Sequence, residues 1–142
     1  MSFSDALSKI GIYRVAIETG GIYRVRNQAI DFPVEDAKNT RKSEEFRTVT
    51  VMSNPEHCQS RLEESILVAP MSHDISMKHS TDIVIIASPE NGLAKDSRVI
   101  LSHIQPIPKK ALEKQFGKFT DEEWERIIAH VLTNFERYPE SN

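Results

Sequence analysis

Four short apolar segments, each of the length of one β-strand, constrain the fold of this chain more than any other feature. They occupy residues 47–52, 66–72, 82–87 and 98–103, and polar linkers separate them. Apolar or alternating runs of this length are typical of strands. Because consecutive strands usually pair antiparallel, the start of the first segment should lie beside the end of the second.

Reactive side chains stand at the segment ends that this arrangement brings together. Arg47 begins the first segment, and Ser72 and His73 end the second. If the third segment leaves this edge and the fourth returns to it, His103 arrives at the same place. The sequence therefore predicts one sheet edge that collects a guanidinium, a hydroxyl and imidazoles.

The C-terminal part of the chain predicts the clearest helix. Thr120 is a suitable N-cap residue, and Glu123 completes a capping box with it. Apolar residues then recur at steps of three and four, as one face of a helix requires: Trp124, Ile127, Ile128, Val131, Leu132 and Phe135. We expect this stripe to face the core or a dimer interface.

Further patterns complete the predicted architecture. Shorter helices are predicted over residues 55–62 and 109–116, each with a proline at its start. The pentapeptide Gly-Ile-Tyr-Arg-Val occurs at residues 11–15 and again at 21–25, each time with a strand pattern. We predict an α+β protein: a strongly bent antiparallel sheet of five or six short strands, an SH3-like barrel, with a C-terminal helix packed on it.

Size and composition narrow the class of protein. A chain of 142 residues fits one domain, and its net charge of −3 argues against coating a polyanion through bulk electrostatics. The single cysteine, Cys58, excludes an intrachain disulfide, and neither a signal-peptide pattern nor a membrane-length apolar run occurs. We expect a soluble cytoplasmic protein. Residues 27–46 are predicted to form a long loop, which is either a lid over the predicted sheet edge or a loop exposed to solvent.

The chemistry of the predicted edge can be stated from its residue types. Arg47 presents a planar cationic fork suited to phosphate oxygens, although a salt bridge to Glu44 or Glu45 is the alternative. Ser72 and His73 lack the sequence surroundings of a hydrolase triad. Together, a cation, a hydroxyl and an imidazole are what metal-free RNA cleavage requires.

Metal chemistry has less support in the sequence. Asp74, Asp82 and Asp96 are scattered and suggest no two-metal carboxylate cluster. We therefore predict no metal site and no cofactor. His79 and His103 have an equally good interpretation as ordinary surface or core histidines.

Several segments, in this order and spacing, resemble the PemK/MazF family of toxin endoribonucleases from bacterial type II toxin-antitoxin systems. Gly-Leu-Ala-Lys-Asp-Ser at residues 92–97 is similar to the family's Gly-Leu-x-x-Asp-Ser turn and is the most specific match. The other similar segments are residues 20–25, 46–54, 67–72, 104–107 and 117–123. The resemblance covers roughly residues 20–136, and we predict a toxin domain over 20–138 with an N-terminal extension over 1–19.

The resemblance implies a function and a site. Arg47 occupies the position of the family's catalytic arginine and Ser72 that of its catalytic threonine or serine, and we add His103 as a group that could share proton transfer. The implied activity is metal-independent cleavage of single-stranded RNA, such as mRNA, to 2′,3′-cyclic phosphate and 5′-OH ends. We further predict RNA contacts from five residues: Arg24, Arg26, His73, His79 and Gln105.

The resemblance also implies partners. It predicts a homodimer, with RNA crossing an interface groove that a cognate antitoxin protein can occupy, and it predicts no membrane partner. Thr48, His103 and Gln105 depart from the family pattern, where proline, glutamine and arginine are usual, and these departures bear on RNA sequence preference and antitoxin choice.

A non-catalytic toxin or binding module on the same fold is the competing interpretation. CcdB-like relatives of that kind act through C-terminal residues, and residues 139–142 show no such feature. A domain that only binds RNA is a weaker alternative, because exposed aromatic runs and a basic surplus are missing from the sequence.

Overall fold

A curved antiparallel sheet carries the chain, whose residues 15–33 and 45–137 are described by a computed structural model. Within these residues seven strands form one sheet. The strands are β1 (Gly21–Arg26), β2 (Phe46–Val51), β3 (Ser65–Ser72), β4 (Ile83–Ile85), β5 (Ser97–Val99), β6 (Gln105–Pro108) and β7 (Lys114–Lys118). Two α-helices accompany them, α1 (Pro55–Gln59) and α2 (Asp121–Asn134). The predicted α+β class, bent sheet and C-terminal helix are confirmed.

The strand order places β3 at the centre. The sheet runs β4-β5-β3-β2-β1-β7, and β6 pairs with the first half of β3, next to the stretch that β5 occupies. All the pairings are antiparallel, including Thr48 opposite Met71 between β2 and β3. The predicted hairpin-like contact between the first two apolar segments is therefore present.

The alternation of side chains along the strands builds two apolar clusters, one on each face of the curved sheet. Tyr23, Val49 and Val68 belong to one cluster and are fully buried. Ile22, Ala69 and Val99 belong to the other, which helix α2 covers with Ile127. Strands that contribute to both faces explain why the apolar segments are so continuous in the sequence.

Helix α2 begins as the sequence predicts. The hydroxyl of Thr120 accepts the backbone N–H of Glu123, and the Glu123 carboxylate accepts the N–H of Thr120. Ile127 is buried, whereas Leu132 and Phe135 are 64% and 77% exposed. The predicted apolar stripe is therefore core-facing only in its first part.

A buried asparagine ties α2 to the turn before β5. The Asn91 amide donates to the Glu123 carboxylate at 2.9 Å and to the Ile86 carbonyl at 2.9 Å, while its oxygen accepts the N–H groups of Ser88 and Leu93. Because a buried amide is costly to leave unpaired, these bonds fix the turn against the helix. The turn forms one wall of the cleft described below.

The predicted helix over residues 109–116 is wrong. Lys109–Ala111 form a single 3₁₀ turn, and Lys114–Lys118 then pair with β1 as strand β7. Pro108 and the following lysines have helix-start character, but the free edge of β1 offers ladder hydrogen bonds that a short amphipathic helix cannot match. Leu112 is buried between the two elements.

The direction of the third segment also differs from prediction. β4 is antiparallel to β5, and β5 is antiparallel to β3, so β4 runs parallel to β3. The connection over residues 73–82, with a 3₁₀ turn at Ile75–Met77, carries the chain back along the sheet. β5 therefore starts at the edge where β3 ends, and it stops at Val99, with Leu101–His103 in a 3₁₀ turn.

Some predictions fall partly outside the described residues. These are the first copy of the pentapeptide, most of the extension over 1–19, the centre of the loop over 27–46, and the tail over 139–142. Residues 15–19 do contact the sheet, where the Tyr23 hydroxyl donates to the Ala16 carbonyl at 2.7 Å and accepts the Glu18 N–H at 3.0 Å. No helix in the described ranges has the length and apolar character needed to cross a membrane.

Replacing Gly117 with alanine should destabilise the fold by about 1–3 kcal/mol. A Cβ atom at this position would lie 2.0 Å from the Asn91 carbonyl oxygen, so backbone must move. The free energy of unfolding from urea titration measures the effect, with Lys118→Ala on the same strand as control. A Gly117→Ala variant as stable as the control would contradict the close packing of β7 on the turn at Asn91.

Candidate active site

One row of residues across the sheet brings the candidate catalytic groups together. Val25 pairs with Arg47, and Ser72 pairs with Arg98. Continuing the Thr48–Met71 pairing by one residue sets Arg47 opposite Ser72. Directly opposite residues in an antiparallel sheet point to the same face, so the two side chains are neighbours. The sequence-based placement of Arg47 beside Ser72 agrees with this register.

A surface cleft of about 780 Å³ opens at this row. Arg47, Ser72 and His73 line it together, as predicted for the shared edge. Its aromatic walls come from Phe32, Phe46 and Phe116. The ends of β2 and β3, the connection after β3 and the turn before β5 supply further lining residues, among them Thr48, Met71, Met77, Leu93 and Lys95. The cleft thus combines a cation, a hydroxyl and an imidazole with flat apolar surfaces.

Arg47 is held in a defined orientation. Its Nε donates to the Asn27 side-chain oxygen at 2.8 Å, and its guanidinium carbon lies 4.9 Å from the centre of the Phe32 ring. The amide and the ring together restrict the plane of the guanidinium. The predicted alternative partner Glu45 pairs with Arg26 instead, at 3.0 Å, and Glu44 lies outside the described residues.

Ser72 ends β3 in a short, hydrogen-bonded turn. Its hydroxyl oxygen accepts the Asp74 N–H at 3.1 Å, and the Ser76 hydroxyl donates to the Asp74 carboxylate at 2.6 Å. The first bond uses an oxygen lone pair and leaves the hydroxyl proton able to donate. His73 lies between these residues and is exposed at the cleft.

Arg24 and Arg26 lie away from the cleft. Both guanidinium groups pair with the Glu113 carboxylate, at 3.3 and 3.2 Å, and both stack on the Phe46 ring, at 4.1 and 5.3 Å. They support the outer side of a ring that also lines the cleft. Their predicted contact with RNA stays a prediction.

His103 and Gln105 also lie outside the cleft lining. Because β5 starts at the Ser72 edge, the chain has moved away from that edge when it reaches His103. The Nδ1 atom of His103 lies 3.0 Å from the Ser102 hydroxyl. The Gln105 amide donates to the carbonyls of Asp31 and His103, and its oxygen accepts the Asp31 N–H, all at 2.9 Å. Gln105 thereby anchors the loop that carries Phe32.

His79 lies outside the cleft lining. Its N–H donates to the Asp82 carboxylate at 3.0 Å, and its carbonyl accepts the Asp82 N–H at 3.0 Å. Asp82 in turn forms a fully buried ion pair with Arg98 at 3.0 Å, and burial lowers the pKa of the Arg98 guanidinium. Among residues 15–33 and 45–137, no three His, Cys, Asp or Glu side chains are grouped as a metal site requires.

Sequence reasoning missed the residues that contact the candidate arginines and hold Ser72. Arg47 is contacted by Asn27 and Phe32, and the Phe46 ring stacks on Arg24 and Arg26. Nothing in the sequence spacing of these residues indicates the contacts. Arg98 had a usable signal, because a lone cation inside the apolar run over 97–101 must be paired if that strand is central. The aspartate that opens the preceding apolar run, Asp82, was its natural partner.

Comparison with known proteins identifies the family. The family model for the PemK-like, MazF-like toxin of type II toxin-antitoxin systems matches residues 29–135. This chain therefore belongs to the PemK-like, MazF-like toxins, as its motifs predict. No curated protein sequence matches the chain.

Solved structures show the same fold at low sequence identity. An endoribonuclease from mycobacterial species is 15% identical, with a TM-score of 0.58 over 87% of this chain and 96% of that chain. The Mycobacterium tuberculosis toxin MazF-mt6 is 17% identical, with a TM-score of 0.60 over 81% and 95%. An endoribonuclease in complex with its cognate antitoxin, also mycobacterial, is 14% identical, with a TM-score of 0.57 over 84% and 93%.

Proposed function

We propose that this toxin is an endoribonuclease that cleaves single-stranded RNA without a metal ion. The observation that carries the proposal is that Arg47 and Ser72 lie opposite each other, one residue beyond the last β2–β3 pair, and that both line the cleft with His73. The structural neighbours described as endoribonucleases support it, because they share the fold over most of their length.

The reaction assigns a role to each group. The 2′-oxygen of the substrate attacks the adjacent phosphorus, the bond to the 5′-oxygen breaks, and a 2′,3′-cyclic phosphate and a 5′-OH remain. Arg47 neutralises the charge that accumulates on the phosphoryl oxygens, and the Ser72 hydroxyl donates a hydrogen bond to one of them. In this proposal His73, which lines the same cleft, accepts the proton of the 2′-hydroxyl and supplies one to the leaving 5′-oxygen.

The proposal extends to partners. A cognate antitoxin should bind this chain and cover the cleft, since one structural neighbour is in complex with its cognate antitoxin. The homodimer remains a proposal from the family resemblance, and sedimentation equilibrium tests it directly. A cytoplasmic location is likewise proposed, since an intracellular RNA is the substrate.

Cleavage in the presence of a chelator is the direct test. Purified antitoxin-free protein is incubated with several long unstructured RNAs in EDTA, and fragment ends are mapped before and after enzymatic removal of cyclic phosphate. Fragments with cyclic phosphate and 5′-OH ends are expected from wild type and should be absent from an Arg47→Ala preparation purified in parallel. A folded wild-type protein that cleaves none of these RNAs would favour the non-catalytic binding module.

The two histidines should differ in their effect on the pH profile. We expect His73→Ala to lower the single-turnover rate by about 10- to 100-fold and to flatten its pH dependence, because this ring lies at the cleft. His103→Gln should leave both the rate and the profile close to wild type. A reversed outcome would return the proton-transfer role to His103.

A further inference from the structure

A fully buried arginine lies beside the candidate catalytic serine, on the neighbouring strand β5. Arg98 is the partner of Ser72 in the β3–β5 ladder, and its side chain has no exposed surface. Its Nη1 donates to the Asp82 carboxylate at 3.0 Å, and Asp82 is equally buried. Charged groups are rarely taken out of water in this way unless they are paired and hydrogen-bonded.

A second bond of Arg98 leads to the turn that contains the serine. The Arg98 Nε donates to the Asp74 backbone carbonyl at 2.8 Å. The N–H of the same residue, Asp74, donates to the Ser72 hydroxyl oxygen at 3.1 Å. Two hydrogen bonds joined by the Asp74 backbone thus connect the Arg98–Asp82 ion pair to the Ser72 hydroxyl.

The far end of this path is itself fixed. The Asp82 carboxylate accepts the His79 N–H at 3.0 Å as well as the guanidinium, and the backbone of Asp82 bonds back to His79 at 3.0 Å. Arg98 therefore has little freedom to rotate, and Asp74 is held from the protein interior. By contrast, the segment 73–76 has exposed side chains and no strand pairing of its own.

Apolar packing alone would hold β5 in the sheet. Val99 and Ile100 beside Arg98 are fully buried, and well-packed apolar residues often replace a buried ion pair without loss of stability. What an apolar side chain at position 98 cannot supply is the donor to the Asp74 carbonyl. The specific contribution of Arg98 is consequently the orientation of the turn.

We infer that Arg98 is a positioning residue for the cleavage reaction, which fixes the Ser72 hydroxyl through Asp74. This inference rests on the proposed ribonuclease function. Without the bond from Arg98, the Asp74 N–H no longer stays on the Ser72 oxygen, and the hydroxyl samples rotamers that do not point to the phosphoryl oxygens. A misplacement of about 1 Å can lower a rate by on the order of 100-fold.

The test is a double-mutant cycle between the ion pair and the serine. The paired variant Asp82→Leu/Arg98→Met removes both charges, so that no unpaired charge stays buried, and Ser72→Ala removes the hydroxyl. In single turnover we expect the paired substitutions to lower the rate by about 10- to 100-fold with the RNA concentration for half-maximal rate little changed. In the Ser72→Ala background the same substitutions should change the rate less than about twofold.

A second measurement does not depend on activity. In wild type the backbone amide hydrogen of Asp74 should exchange slowly with solvent, because it donates to the Ser72 hydroxyl oxygen. This protection should be lost in Asp82→Leu/Arg98→Met. It should be kept in Asp82→Asn, which retains Arg98. An equal fall in rate with and without the Ser72 hydroxyl, or an unchanged Asp74 amide, would overturn the positioning role. If wild type cleaves no RNA, the proposed function fails, and the exchange measurement still decides whether Arg98 orders this turn.

Discussion

Replacing Arg47 with alanine should lower the rate of RNA cleavage by about 10²- to 10³-fold while the protein stays folded. The Arg47 guanidinium lines the cleft in an orientation fixed by Asn27 and Phe32, so it is in place before the charge on the phosphoryl group develops. Preorganised charge of this kind acts mainly on the transition state. The expected loss is therefore in the single-turnover rate constant at saturating RNA.

Two further variants make this prediction specific. Arg47→Lys keeps the charge but loses the planar fork and the Nε bond to Asn27, and we expect it to recover only a minor part of the rate. Arg126→Ala removes an exposed arginine on α2, away from the cleft, and should stay within about threefold of wild type. A rate for Arg47→Ala within tenfold of wild type would contradict the assigned role.

Local signals in the sequence were sufficient for the elements that form from neighbouring residues. The capping box between Thr120 and Glu123 begins the C-terminal helix where the structure has it. Two consecutive apolar segments gave the β2–β3 pair, and with it Arg47 beside Ser72. In both cases the interacting groups are close in sequence or joined by a short connection, so pattern and geometry agree.

Long-range competition decided the features that the sequence did not reveal. Residues 114–118 become a strand only because β1 presents an unpaired edge, and the paired residues, Arg24 with Lys114 through Gly21 with Lys118, are 90 to 97 positions apart in the sequence. The reversal of β4 depends on the path of residues 73–82, and it separates His103 from the edge that its position in the fourth segment predicts. Neither effect leaves a trace in local periodicity.

The same limit applies within the site. Sequence reasoning placed Arg47, Ser72 and His73 at the cleft. It did not find the residues that hold the first two, Asn27 for Arg47 and Asp74 for Ser72. Asn27 lies 20 residues from Arg47 in the sequence, in a 3₁₀ turn after β1. Asp74 is close to Ser72 in the sequence, but its turn is held by Arg98 from another strand. The sequence can thus place a candidate residue at the cleft while the contacts that hold that residue remain undetected.

Breaking the buried ion pair on one side should produce the largest loss of stability in this protein. Arg98→Met leaves the Asp82 carboxylate with no exposed surface and without its charge partner, and we expect a loss of about 3–5 kcal/mol in the free energy of unfolding. Replacing both residues, as in Asp82→Leu/Arg98→Met, should cost much less, because no charge then stays buried. Urea titrations of both variants and wild type measure the difference.

The comparison separates the two contributions of the pair. If the double replacement is nearly as stable as wild type and yet cleaves RNA slowly, the Asp82–Arg98 pair serves the orientation of Ser72 more than the stability of the sheet. If the single and double replacements lose the same stability, the two charges do not compensate each other. That result would contradict a buried ion pair between Asp82 and Arg98. The guanidinium also donates to the Asp74 carbonyl at 2.8 Å, so Arg98 stays held at one end in Asp82→Asn. Asp82→Asn should therefore lower the free energy of unfolding less than Arg98→Met does.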